Sequence, residues 1–299
     1  MTSHYKHLLD QIAVNGENTA KWSAAAKEYF QTFIHAEPIL KHFSDNITIV
    51  LHGSTTQNID DAHSDLDFWL VLDDPESQKY RSISEQNFIP VEINSKKGHL
   101  NPLRISHLDR CFDNEIDMVL INELISSIVI VDKKNAFQKY QKLAAQPLND
   151  SVRHAYFFNN YVEMRASHRS CDNPMERGDR FAVLFSAMQT IRYALRAAFV
   201  LDRVPYPYEK WLCVQANFHE TPKSLLENVD KIITEMQTNP AALLGPEKEN
   251  RISQELRAIR AKLSAKAKQS GIDALWLEKW WRYVDRSREI IAEVRWADG

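Results

Sequence analysis

Glycine is scarce in this chain, with seven in 299 residues. A chain that uses so little of its most permissive residue reserves it for tight turns and close backbone approaches. Cysteine is scarcer still. Cys111, Cys171 and Cys213 are far apart and odd in number, which excludes a disulfide scaffold and a zinc-type cluster and suggests a reducing cytoplasm. No apolar run is long enough for a spanning helix. The opening Met1-Thr2-Ser3-His4-Tyr5-Lys6 leads into mixed polar sequence without an apolar signal core, so no membrane role is expected. A formal charge of −3 excludes a general polyanion-binding character, although a local basic patch stays open. There is no fixed-period repeat and no low-complexity segment.

What is present describes a soluble globular protein, with 44% hydrophobic and 26% charged residues. The length suits two domains, each with its own core. From about Tyr5 to His35, Leu8, Ile12, Trp22, Ala25, Tyr29 and Phe33 recur at helical spacing around a break near Gly16. Ile47 to Leu51 is rich in β-branched residues and predicts a buried strand. Phe68 to Leu72 predicts a second strand, ended by Asp73-Asp74-Pro75. Phe88 to Ile93 predicts a short third strand, with Pro90 pointing to a sheet edge. Residues from about Arg104 to Ser126 carry helical spacing, and Ile128 to Asp132 predicts a further strand. Beyond Asp150 the strand signals stop. Arg153 to Arg169, Arg180 to Leu201, Ser224 to Gln237, Glu247 to Gln269 and Ile272 to Trp296 all predict helices. Gln146-Pro147-Leu148-Asn149-Asp150 is the natural linker, since it combines a proline with capping residues.

The motif that carries chemistry is Leu51-His52-Gly53-Ser54 at the end of a strand, followed by a polar loop and then Ser64-Asp65-Leu66-Asp67 at the start of the next. Strand side chains alternate between faces, so Asp65 and Asp67 project together. Two carboxylates on one face suit a hard cation completed by substrate phosphates. A bare Asp-x-Asp is common, but the full arrangement is specific. It resembles the nucleotidyltransferase superfamily that includes DNA polymerase beta and the aminoglycoside nucleotidyltransferases. Residues 45–95 carry that resemblance.

The resemblance implies an α+β protein, with a small mixed-sheet catalytic domain over residues 1–149 and an all-helical substrate-binding domain over 150–299. It implies Asp65 and Asp67 as ligands of Mg²⁺, with Mn²⁺ as a substitute, and an NTP substrate, ATP foremost. Gly53 and Ser54 would cradle the β- and γ-phosphates. Superfamily members add a third carboxylate on a neighbouring strand, as metal ligand or base, and Glu92 in Pro90-Val91-Glu92-Ile93 is the candidate. Glu85, Asp113, Asp117 and Glu123 are the fallbacks. His52 and His63 flank the motif as local hydrogen bonders rather than ligands.

In the second half, Arg192 to Arg196 followed by Asp202-Arg203-Val204-Pro205-Tyr206-Pro207-Tyr208-Glu209-Lys210-Trp211-Leu212 is similar, more loosely, to the helical domain of kanamycin-type nucleotidyltransferases. Pro205 and Pro207 stop the helix and stiffen the turn, which would aim Lys210 at a triphosphate. Arg165 with Arg169, and Arg192 with Arg196, stand four apart and are expected on solvated faces beside acidic partners. The tryptophans of the last segment are expected in the core.

The resulting expectation is transfer of a nucleoside monophosphate, AMP foremost, to a hydroxyl of a small molecule such as an antibiotic, by a monomer or a homodimer. A cationic acceptor would need acidic lining, for which Asp109, Asp113, Glu115, Asp117 and Glu123 are candidates. Transfer to RNA ends or to a protein side chain is the alternative, and it would call for a basic stripe from Lys96, Lys97, His99 and Arg104. A catalytically silent nucleotide-binding regulator is the third reading.

Overall fold

A computed structural model describes residues 18–239 and 250–296, and the chain divides into two compact units between Gln146 and Pro147. In the first unit, α1 (Asn18–Ala36) precedes β1 (Thr48–His52), β2 (Leu66–Leu72), α2 (Asp74–Ile83), β3 (Ile89–Ile93) and β4 (Lys96–Arg104). It continues with α3 (Ile105–Asp113), α4 (Met118–Ser126), β5 (Ile128–Asp132) and α5 (Gln138–Ala144). The expected helix N-terminal to Asn18 lies outside the described residues.

The strands form one mixed sheet in the order β3-β4-β2-β1-β5. Only the β2–β4 pairing is parallel. One face carries Ile49, Leu51, Leu66, Phe68, Leu70 and Leu100, all fully buried. It packs under α1, whose buried positions Trp22, Ala26, Phe30 and Ile34 recur every four residues. That spacing keeps one helical stripe against the sheet. Phe30 meets Phe68 edge-on at 5.1 Å between ring centroids. α4 packs against β1.

Local signals explain the breaks. Asp73 and Glu76 form a reciprocal capping box with Pro75 in the first turn of α2, so the chain leaves β2 directly into helix. The stretch of helical spacing from about Arg104 to Ser126 forms two helices. The Asp117 carboxylate accepts from the Val119 and Leu120 backbone N–H groups at 3.0 and 3.1 Å, capping the start of the second helix.

β4 has no counterpart in the sequence reading. Its Lys96-Lys97-Gly98-His99 and Asn101-Pro102 are poor strand formers. Pairing with β3 over Lys96 to Leu100 and with β2 over Gly98 to Arg104 holds them extended.

The second unit contains α6 (Asp150–Arg169), α7 (Asp172–Arg177), α8 (Arg180–Leu201), α9 (Leu212–Ala216), α10 (Glu220–Thr238), α11 (Arg251–Gln269) and α12 (Val284–Glu289). No strand occurs among its described residues. The molecule is therefore α+β, a mixed-sheet unit followed by a helical one. No helix among the described residues is long and apolar enough to cross a membrane.

The helix expected over Ile272 to Trp296 is not formed. The segment is a series of 3₁₀ turns with the six-residue α12 between them. Tertiary contacts override the helical spacing here. Trp276 is buried against Phe157, Phe158 and Tyr161. The Leu277 carbonyl accepts from Tyr161 Oη at 3.0 Å and Arg165 Nη1 at 3.2 Å, so it is bonded outside the segment. Trp280 and Trp281 are not in the core, and Trp281 is 58% exposed.

Candidate active site

The end of β1 and the start of β2 lie side by side, His52 paired with Asp67. Directly after His52 the backbone turns at Gly53, whose φ is +80°. A β-carbon there would sit 3.0 Å from Asp67 Oδ2. The glycine is thus required twice, once for the left-handed turn and once to leave room for the carboxylate.

The loop between the two halves of the motif is braced from within and by α1. Thr56 Oγ1 donates to the Gly53 carbonyl at 3.0 Å, and Thr19 Oγ1 donates to the Thr55 carbonyl at 2.6 Å. Asn58 also takes a positive φ. Burial pushes the Asp61 carboxyl up, but hydrogen bonds from the Ser64 hydroxyl and the His63 N–H outweigh it and hold it below its ordinary value. Ser54 is buried within this loop. His52 stacks on Trp69 with ring centroids 3.8 Å apart, and its Nδ1 lies 3.0 Å from Glu123 Oε2. This brace fixes the strand end from which Gly53 departs.

Gly53→Ala is expected to destabilise the protein by about 1–2 kcal/mol through the left-handed backbone alone, and to displace the Asp67 carboxylate as well. Thermal melts and nucleotide-binding titrations of this variant would check both effects.

Asp65 and Asp67 share the sheet face that alternation requires, and the structure adds a third donor. β4 runs parallel to β2 with His99 beside Asp67. One ligand atom from each of Asp65, Asp67 and His99 lies within 4.8 Å of the others. His99 Nδ1 is 3.2 Å from Asp65 Oδ2. Two carboxylates and an imidazole are a donor set that fits a divalent cation.

Glu92 is not in this group. It occupies edge strand β3 opposite Lys97, so β4 separates it from β2. Two strand spacings set the backbones about 10 Å apart, and no Glu92 oxygen joins the group formed by Asp65, Asp67 and His99. Glu92 does lie on the same face, solvent-exposed, in the row that passes through Lys97.

Beside Asp65 is a cavity of about 630 Å³, lined by Lys21, Trp22, Asp60, Lys96 and Lys97 among others. Lys96 reaches Asp60 at 3.5 Å and lies 5.0 Å from the Trp22 ring centre. The basic stripe suggested by Lys96, Lys97, His99 and Arg104 is split by strand alternation. Lys97 and His99 share the face of Asp67, whereas Lys96 and Arg104 take the other.

The acidic residues considered for a cationic acceptor are largely engaged elsewhere. Asp109 accepts from Tyr140 Oη at 2.7 Å, Glu115 pairs with Arg110, Asp117 caps α4 and Glu123 meets His52.

Lys210 belongs to the helical unit, where its ammonium lies 5.3 Å from the Trp211 ring centre. Arg192 and Arg196, on one face of α8, share Glu209 at 2.8 and 3.0 Å, and Arg169 pairs with Asp172.

Burial pushes the Cys111 thiol up to about 12 and the Cys213 thiol up to about 11. Both stay protonated at neutral pH and are unsuited to nucleophilic work. In the folded protein at pH 8, both should resist iodoacetamide for hours and react on unfolding, as peptide mass mapping would show.

The profile of a family described as a domain of unknown function (DUF4037) matches residues 115–212, about a third of the chain. Among solved structures, the chain is similar to a nucleotidyltransferase-like protein from Exiguobacterium sibiricum 255-15, at 12% sequence identity and a TM-score of 0.46. That similarity covers 84% of this chain and 77% of the other. No curated protein matches the chain.

Proposed function

We propose that this chain transfers a nucleoside monophosphate, AMP foremost, from an NTP to the hydroxyl of a small-molecule acceptor. The observation that carries the reading is the convergence of the Asp65 and Asp67 carboxylates beside the Gly53 turn. A divalent cation bound there would neutralise triphosphate charge and polarise the α-phosphate. Asp65 and Asp67 would hold that cation on a rigid strand, and the Gly53-Ser54 turn would receive the β- and γ-phosphates. The adjoining cavity offers room for the nucleotide, with lysine ammonium groups in its lining. In the reaction the acceptor oxygen bonds to the α-phosphorus, the bond to the bridging oxygen breaks, and pyrophosphate leaves. Glu92, exposed on the same face, would take the hydroxyl proton from an acceptor lying over Lys97. The division of Lys97 and His99 from Lys96 and Arg104 between the two sheet faces favours a small acceptor over RNA.

A second reading, nucleotide binding without transfer, is favoured by one observation. No third carboxylate joins Asp65 and Asp67 in the ligand group found among the described residues.

The test incubates the protein with each α-³²P-labelled NTP and Mg²⁺ or Mn²⁺, against aminoglycosides, lincosamides, bulk tRNA and the protein itself. Asp65→Asn serves as the blank. Label passing to one acceptor class, and absent in the blank, supports transfer. Tight NTP binding with no label moved supports the second reading. In an active preparation, Glu92→Gln is expected to lower kcat by about 10²-fold with little change in KM, because a base acts in the transition state.

A further inference from the structure

The geometry points to a mixed carboxylate–imidazole centre in which Asp65, Asp67 and His99 bind a divalent transition-metal ion of the Mn²⁺ class in preference to Mg²⁺, with His99 as a direct ligand. The inference takes Asp65 and Asp67 as cation ligands from the proposed function. It concerns which ion binds there, and transfer need not occur for it to hold.

Three observations support it. The first is spacing. Donor atoms that occupy adjacent positions around an ion at about 2.1 Å stand about 3 Å apart, and His99 Nδ1 is 3.2 Å from Asp65 Oδ2.

The second is orientation. The ring of Phe88 meets the His99 imidazole edge-on at 4.8 Å between centroids, which restrains the imidazole beside Asp65. On the other side, Gly53 lets the Asp67 carboxylate settle against the turn.

The third is energetic. The side chains of His99 and Asp65 are 40% and 43% exposed. A polar contact that open contributes at most about 0–1 kcal/mol to folding, so stability gives little reason to bring these groups together.

Imidazole nitrogen is a poor partner for Mg²⁺, which demands oxygen donors and retains its waters. Along the first-row divalent ions, affinity for a nitrogen–oxygen site rises from Mn²⁺ onward. A third carboxylate on β4 would give the site a hard, all-oxygen set. His99, in register with Asp67, gives it a softer donor and one less negative charge.

The test uses the full chain, freed of metal with chelator, and reads binding rather than activity. Mn²⁺ is titrated by loss of its free-ion EPR signal, and Mg²⁺ is used as competitor. One Mn²⁺ per chain is expected, with Mg²⁺ displacing it only at much higher concentration. His99→Ala is expected to weaken Mn²⁺ binding at least about tenfold. Because most N/O sites favour Mn²⁺ somewhat, His99→Asp is the decisive variant. It should lower the Mn²⁺/Mg²⁺ affinity ratio at least about tenfold, by restoring oxygen donors. With ¹⁵N-histidine labelling, bound Mn²⁺ should show one nitrogen coupling, lost in His99→Ala. Circular dichroism melts establish that both variants are folded.

An unchanged affinity ratio in folded His99→Asp, or no nitrogen coupling in the labelled protein, overturns the inference. A protein that passes these tests yet transfers no label retains the metal centre and loses the transferase reading. A protein that transfers label with Mg²⁺ as readily as with Mn²⁺, and whose His99→Ala variant binds Mn²⁺ normally, does the reverse.

Discussion

Asp67→Asn is expected to lower nucleotidyl transfer on the order of 10³-fold or more, while the folded protein melts within about 2 °C of the parent. The substitution keeps side-chain shape and one acceptor oxygen but removes the charge that would hold the cation. Asp67 stands in β2 beside His52 and His99, with its carboxylate against Gly53. An amide of equal size fits that place without a cavity or a steric clash. Transition-state charge on the phosphoryl oxygens is what loses support, so kcat should fall more than nucleotide affinity. Initial rates with labelled NTP, beside melting curves for both proteins, check the split. Parental rates in the folded variant would remove this carboxylate from the chemistry.

Gly98→Ala is expected to have the largest effect on the fold of the first unit. A β-carbon at position 98 would lie 2.3 Å from the Leu66 carbonyl oxygen, 2.9 Å from Leu66 Cβ and 3.0 Å from Val91 Cγ2. The first of these is backbone and cannot swing aside, so β4 must move away from β2. Overpacking of this kind costs about 1–3 kcal/mol and sometimes more, and the upper end applies where backbone meets backbone. At about 2–4 °C per kcal/mol, the melting temperature should fall by several degrees. His99, the next residue, would be carried away from Asp65 and Asp67, so Mn²⁺ binding should weaken along with stability. Melting curves and EPR titration of the same preparation test the two effects together. A variant with parental stability and parental metal affinity would show that the β2–β4 contact is looser than the structure describes.

The local patterns of the chain were informative where one segment carried its own reason. β-branched residues before His52 mark β1, and Asp65 and Asp67 fall on one face because strands alternate. The long helices α6 and α8 follow from the apolar spacing of Arg153 to Arg169 and Arg180 to Leu201. Spacing alone misled in the tryptophan-rich last segment, where Tyr161 and Arg165 bond the Leu277 carbonyl and Trp276 is drawn into an aromatic cluster.

The candidate site divides along the same line. By itself the sequence determined the pair of carboxylates and the turn glycine, since both depend on neighbours within one short stretch. Only the tertiary structure decided their third partner. β4 has weak strand propensity, and its parallel pairing with β2 joins residues some thirty apart, Asp67 and His99. As a third ligand Glu92 is suggested by its own visible strand, yet β4 lies between it and the pair. Which side chain meets a motif across a sheet depends on strand order and register, and both are set by packing of the whole unit rather than by adjacent residues.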